Sequence, residues 1–272
     1  MKNIFLTILA TTIFLRSFGQ KSDTFEIKEV YVTDSSQLKY PSDFERKDSI
    51  FFQDDKYIVR ATCHGEWGGS VWFKNKNTKK EYSCRASCPY FVNKIGSKYY
   101  VTTNYFHMAV STEVIEIDDP ELMDIYDPNK VIKIDGHVVN RAYPKFETDS
   151  YKGSKTLAWA TDIYTAWSFT NQDKLYQLMT RLNGGEVRIT TIQNNKFVTV
   201  DTIPGSSSYN IWDIVEKDNH LLVFFFKTKI VEKYMSVTHI ANGCLRGYID
   251  IFGNKITIYR YDKLLALDKG CR

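Results

Sequence analysis

Apolar and polar residues alternate with a period of two over much of this chain, and short polar turns separate the runs. Four segments share one form: an apolar or aromatic strand, a polar turn, and a second apolar strand opening with Lys or Asn and often Tyr. They are "SIFFQDDKYIVRATC" from Ser49, "PYFVNKIGSKYYVTTNY" from Pro89, "TAWSFTNQDKLYQLMT" from Thr165 and "NIWDIVEKDNHLLVFFF" from Asn210. The anchors Lys56, Lys98, Lys174 and Asn219 stand 42, 76 and 45 residues apart. The middle gap divides into two units of 38, and near its midpoint "VIKIDGHVVNRAY" reads as a weaker copy around Gly136, so the spacing predicts five units. Further strand-like runs follow the hairpins, among them "SVWFKN", "KKEYSC", "EVIEID", "EVRITTI", "KFVTVDTI", "GYIDIF" and "ITIYRY".

Four short strands per unit of roughly forty residues is the pattern of a β-propeller blade. The expected fold is all-β, a single propeller of five blades, with a two-sheet β-sandwich as the alternative. The early strand "EIKEVYV" from Glu26 is expected to pair with a carboxy-terminal strand, because an unclosed ring leaves exposed edges. One segment departs from the strand pattern: in "DDPELMDIYDP", Asp119 can cap, Pro120 suits a first helical position and Glu121 suits the positive end of the dipole. Its acidic residues lack the ligand alternation and glycine of a calcium loop, which favours a capped surface turn.

The first residues, "MKNIFLTILATTIFLRSFGQ", place Lys2 before an apolar run and small residues at its end, the form of a secretory signal peptide. The organisation read from the chain is therefore a signal peptide over 1–19 and one domain over 20–272. The expected location is secreted or periplasmic, with no integral membrane segment after signal removal. The formal charge of +4 falls to +2 without Lys2 and Arg16, too balanced for affinity resting on phosphate neutralisation, so nucleic acid is excluded as a partner. Aromatic residues make up 15% of the chain, which favours strands.

The chain resembles the exported bacterial β-propeller-like proteins of unknown function. The likeness lies in the "EWGG" turn, in "YYVTTNYFHM" continuing into "EVIEIDDPELM", and in "KLYQL". It implies the propeller fold and no particular activity.

In a propeller the loop after each second strand and the crossover between blades emerge on one face, the usual ligand side. That face is expected to gather His64, Glu66 and Trp67 from "CHGEWGG", Arg85 from the crossover "CRASCP", His107 from the second unit and Tyr209 before the last. Trp67 and Tyr209 offer planar faces, and Glu66 with a histidine offers an acid and a base. The expected function is an exported binding protein taking a carbohydrate, peptide or protein partner on this face. The alternative is a secreted hydrolase of glycans or phosphoesters built on Glu66, His64 and His107. No GxSxG elbow, HExxH motif, phosphate loop or dinucleotide fingerprint occurs. No cofactor is expected, and a monomer is.

All five cysteines, Cys63, Cys84, Cys88, Cys244 and Cys271, follow the leader, where disulfides are permitted. Cys63, Cys84, Cys88 and His64 are also zinc-compatible types, but the compartment and spacing favour a disulfide, so no metal is assigned. Cys63 and Cys84 would end strands separated by a third, roughly 9 to 10 Å apart at ~4.8 Å per strand. A disulfide tolerates Cα separations only to about 7 Å. Cys88 follows a crossover that returns toward the inner strands, so a Cys63–Cys88 bridge is expected, with Cys84–Cys88 as runner-up.

Overall fold

A computed structural model describes residues 24–44, 51–64, 68–107, 109–126, 133–134, 137–138, 148–181, 185–205, 209–230 and 240–261. The expected signal peptide over 1–19 lies outside them. The protein is all-β: its helical elements among the described residues are single 3-10 turns. No helix among these residues is long and apolar enough to cross a membrane.

Strand β1 (Glu26–Tyr31) precedes four antiparallel meanders. Sheet A contains β2 (Phe52–Gln53), β3 (Tyr57–Ala61), β4 (Ser70–Asn75) and β5 (Glu81–Arg85). Sheet B begins with β6 (Pro89–Ile95), β7 (Lys98–His107) and β8 (Ala109–Ile117). The chain then leaves sheet B and adds β9 (Asp124–Ile125) to the free edge of β5, where Tyr82 faces Ile125. A small ladder of β10 (Lys133–Ile134) and β11 (His137–Val138) follows. Strand β12 (Lys155–Thr161) then returns to pair with β8. Sheet C is β13 (Tyr164–Asn171), β14 (Lys174–Thr180), β15 (Arg188–Gln193) and β16 (Lys196–Thr202). Sheet D is β17 (Tyr209–Lys217), β18 (His220–Ile230), β19 (Ile240–Phe252) and β20 (Lys255–Arg260), with β1 parallel to β20 at its outer edge.

The anchors fall where the pattern puts them: Lys98 and Lys174 open β7 and β14, and Lys56 and Asn219 immediately precede β3 and β18. The pairing of "EIKEVYV" with the carboxy-terminal strand is also present. The expectation of five blades is not met, because the principal sheets are four. The 76-residue gap is one unit carrying an insertion, since the fourth strand of sheet B arrives only at Lys155. The Gly136 region contributes a two-stranded ladder in place of a blade. The acidic segment is the capped turn expected of it, with Asp119 Oδ1 accepting from Glu121 N at 3.0 Å.

Sheets A and B stack face to face on an apolar core that includes Tyr57, Phe73, Tyr99 and Ile117, and sheets C and D on one that includes Leu178, Ile189, Val223 and Ile258. Face-to-face packing of this kind is compatible with the sandwich alternative, although four principal sheets are present and not two. Residues 32–44 cover the other face of sheet D, where Val32, Leu38 and Phe44 meet Phe224 and Tyr248.

The seam between sheets B and C combines aromatic contacts such as Phe91–Trp167, centred 4.7 Å apart, with a buried polar cluster. Strand β13 bulges between Thr165 and Trp167, which frees backbone groups from the ladder. The Asn104 side chain takes their place: its Nδ2 donates to Thr165 O at 2.7 Å and its Oδ1 accepts from Thr165 N at 2.9 Å. Thr112 Oγ1 and Thr165 Oγ1 lie 2.9 Å apart beside it. Buried polar groups satisfied in this way fix one register between two sheets that apolar contacts alone would leave free to slide.

At the lower end, Asp54 joins sheets A and B. Its carboxylate accepts from Lys56 N, Tyr57 N, Lys94 Nζ and Tyr99 Oη at 2.5–2.9 Å. Burial by itself would raise this group, but the Lys94 ammonium, the Tyr99 hydroxyl and the two backbone donors outweigh burial and hold it down at about 2.

Candidate functional site

The upper end of the sheets carries the loop after β3, the crossover between β5 and β6 and the tip of the β7–β8 hairpin. Here the chain is fastened by a Cys63–Cys88 disulfide with a Cα–Cα separation of 4.2 Å, the pair favoured by the strand-spacing argument. Cys84 is a free thiol buried in the core between sheets A and B, and burial pushes it up to about 12. It therefore stays protonated and out of exchange chemistry. The bond also commits two of the four zinc-compatible residues.

The loop after β3 folds tightly onto this clasp. His64 N donates to Gly68 O at 2.8 Å, Thr62 N to Ser70 O at 3.0 Å and Ala86 N to Gly69 O at 3.0 Å. Gly68 takes a positive φ of 85°. A Cβ at Gly69 would sit 2.2 Å from Thr62 O, so only glycine permits this approach of loop to strand. The segment "CHGEWGG" is thus fixed at its ends, by a disulfide on one side and an obligatory glycine on the other. Gly65, Glu66 and Trp67 lie outside the described residues.

Arg85 sits under the same loop, its Nη2 3.6 Å from the position of a Cβ on Gly68. Its guanidinium lies 5.8 Å from the Tyr151 ring centroid and 3.8 Å from Asp149 Oδ1. The structure therefore brings Arg85 and His64 to one loop cluster. His107 ends β7 and Tyr209 opens β17, both at the upper ends of their sheets, and their side chains are outside the described set.

Beside the disulfide the sequence reading missed a feature. Tyr90, Phe106 and Tyr164 form an aromatic shelf, with Phe106 centred 6.0 Å from Tyr90 and 5.6 Å from Tyr164. Tyr90 and Phe106 are 45% and 46% exposed, which leaves ring faces open to solvent. Phe106 stands near the tip of the β7–β8 hairpin, Tyr90 at a bulge that opens β6, and Tyr164 at the start of β13, held by the Asn104–Thr165 bonds. The signal was available as aromatic residues at strand ends, where no neighbouring strand covers them. Adjoining the shelf, a cleft of about 430 Å³ runs between Phe51, Ala61, Cys63 and Pro89. It lies within the size range of small-molecule sites.

The arrangement offers stacking surfaces, a cleft lined in part by Arg60, and the Arg85 guanidinium. The chain matches no protein-family model, and no curated protein matches it.

Proposed function

We propose that this chain is an exported binding protein that takes a carbohydrate on its upper face, with the Tyr90–Phe106–Tyr164 shelf as the stacking surface and the cleft along Ala61 to Cys63 as its continuation. In this reading the four meanders are blades of a propeller-like arrangement with β2, β6, β13 and β17 innermost, a member of the exported propeller-like group that the sequence resembles. The observation that carries it is the shelf: three touching aromatic rings drawn from two sheets, two of them about half exposed, beside a loop pinned by a disulfide. Aromatic rings at water-facing positions suit the apolar faces of sugar rings, while hydroxyl-bearing neighbours satisfy the polar edges. A rigid shelf loses little entropy on binding. The disulfide fits an oxidising compartment, in keeping with the signal-peptide reading of the first nineteen residues.

The hydrolase alternative rests on Glu66, His64 and His107; the side chains of Glu66 and His107 lie outside the described residues, and no observation favours it. Affinity electrophoresis tests the binding reading with native gels containing soluble xylan, laminarin, mannan or glycol chitin. Retardation by at least one polysaccharide, relieved in Phe106→Ala, is expected. Equal mobility in all gels would count against it.

A further inference from the structure

Sheet D ends on a strand that is paired on one side only. β1 lies parallel to β20 in an unbroken register from Glu26↔Lys255 to Tyr31↔Arg260, without a bulge or a proline. Glu26 N donates to Asn254 O at 2.8 Å and Val32 N to Arg260 O at 2.9 Å, so the even-numbered residues turn their backbone groups toward β20. The N–H and C=O of Ile27 and Glu29 therefore point away from the sheet, and no strand among the described residues meets them. Glu26, Lys28 and Glu29 are exposed, so solvent reaches this edge along its length. A regular, open edge of this kind is a template for a further strand.

The side chains select which strand. Ile27 packs against the core shared with sheet C, and Glu29 is bonded to Arg260 Nε at 2.9 Å, which fixes β1 on the sheet. Glu26 and Lys28 project from the other face, opposite Lys255 and Thr257 of β20. Among the described residues neither is held in an ion pair. The edge thus offers one free charge of each sign, two residues apart on one face.

We infer that a second copy of this chain docks on β1, the two β1 strands pairing antiparallel about a two-fold axis at Ile27. Only odd-numbered residues present backbone groups outward, so odd must oppose odd and even must oppose even, and the axis passes through a single residue. Centring it on Lys28 opposes two lysines, and centring it on Glu26 or Glu29 opposes two glutamates. Centring it on Val30 or Tyr31 shortens the overlap and leaves Glu26 without a lysine. With the axis at Ile27, Glu26 of each copy faces Lys28 of the other, in the non-hydrogen-bonded position where opposed side chains come closest. Ile27 N–H of each copy donates to Ile27 C=O of the other, and two five-stranded sheets become one. The contact is isologous, so it closes as a dimer and builds no filament. One strand pair is a small interface, which sets dissociation at roughly 10–100 µM, and the monomer expected from the sequence is the dilute form. The shelf contributes nothing to this edge, so the dimer stands or falls independently of carbohydrate binding.

Sedimentation equilibrium of the full mature chain, without sugar and from about 1 µM to about 1 mM, reads the association. A monomer–dimer equilibrium is expected. Glu26→Lys and Lys28→Glu each convert both reciprocal pairs to like charges and should weaken dimerisation tenfold or more, with the melting midpoint kept because both side chains are exposed. The exchanged double variant Glu26→Lys/Lys28→Glu restores opposite charges in both pairs and should dimerise as the wild type does, a recovery that a purely structural role would not give. Amide exchange followed by NMR should slow at Ile27 and Glu29 as protein concentration rises, while Lys28 and Val30, already bonded to β20, stay unchanged. The inference is overturned by a monomer at every concentration, by single reversals that dimerise like the wild type, by a double variant that stays monomeric, or by Ile27 and Glu29 amides indifferent to concentration.

Discussion

Replacing Cys63 and Cys88 together by serine removes the covalent link described at the upper end, and the structure sets the size of the effect. The bond closes a loop with a sequence separation of 25 residues. In the chain-entropy treatment, the cost of closing such a loop in the unfolded chain is about 3.5 kcal/mol at 25 °C, which the native protein ceases to gain when the link is cut. For a chain of this size that corresponds to a fall in melting midpoint of roughly 7–14 °C. The double variant should still fold, because the backbone bonds Ala86 N to Gly69 O (3.0 Å) and Asn104 N to Cys88 O (3.1 Å) hold the same segments without the sulfurs. Urea unfolding of wild type, double variant and reduced wild type is the assay, alongside non-reducing peptide mapping. Reduced wild type should match the variant. Cys84 should resist alkylation in the folded protein in both, since burial keeps it a thiol well above neutral pH. Unchanged stability in the double variant, or a map linking Cys84 to either partner, would refute the reasoning.

Asp54→Asn should cost about 2 kcal/mol, the equivalent of holding a largely buried carboxyl near 2 against about 3.9 in the unfolded chain. The sign follows: wild type carries this stability above about pH 4 and loses it as pH falls toward 2, whereas the variant's acid unfolding lacks that component, which urea midpoints at stepped pH will read. Gly69→Ala should destabilise by roughly 2–4 kcal/mol, because the added Cβ would lie 2.2 Å from a backbone oxygen that cannot rotate away, and thermal melts check it. Asn104→Leu leaves the Thr165 N–H and C=O buried without their side-chain partner, an expected loss of about 2–4 kcal/mol by urea titration together with increased mobility of Tyr164 on the shelf.

What the chain's pattern revealed is what depends on local physics. Strand runs such as "SVWFKN" announced themselves by alternation, the anchors by polar turns, the capped turn by Asp119-Pro120. Strand spacing disfavoured a Cys63–Cys84 bond, and the return of the crossover pointed to the Cys63–Cys88 pair that the structure contains. The five-blade count failed at a non-local event: Thr156 pairs with Ile115 across an excursion in which Asp124 joins Ser83 of another sheet, and no periodicity signals such an exchange. The upper shelf was half legible. Phe106 belonged to a loop already placed on that face, but Tyr90 and Tyr164 reach it only because a bulge and the Asn104 amide set their strands.

The central claim is that the upper aromatic shelf binds carbohydrate, and calorimetric titration tests it most directly. The mature protein is titrated with xylo-, cello-, laminari- and chito-hexasaccharides, in parallel with a Tyr90→Ala/Phe106→Ala variant that removes both exposed rings. The account predicts saturable binding of at least one oligosaccharide to the wild type and a loss of tenfold or more in the variant, with the melting midpoint little changed. Heat of binding that is identical in wild type and variant, or absent for every oligosaccharide in the wild type, would contradict it.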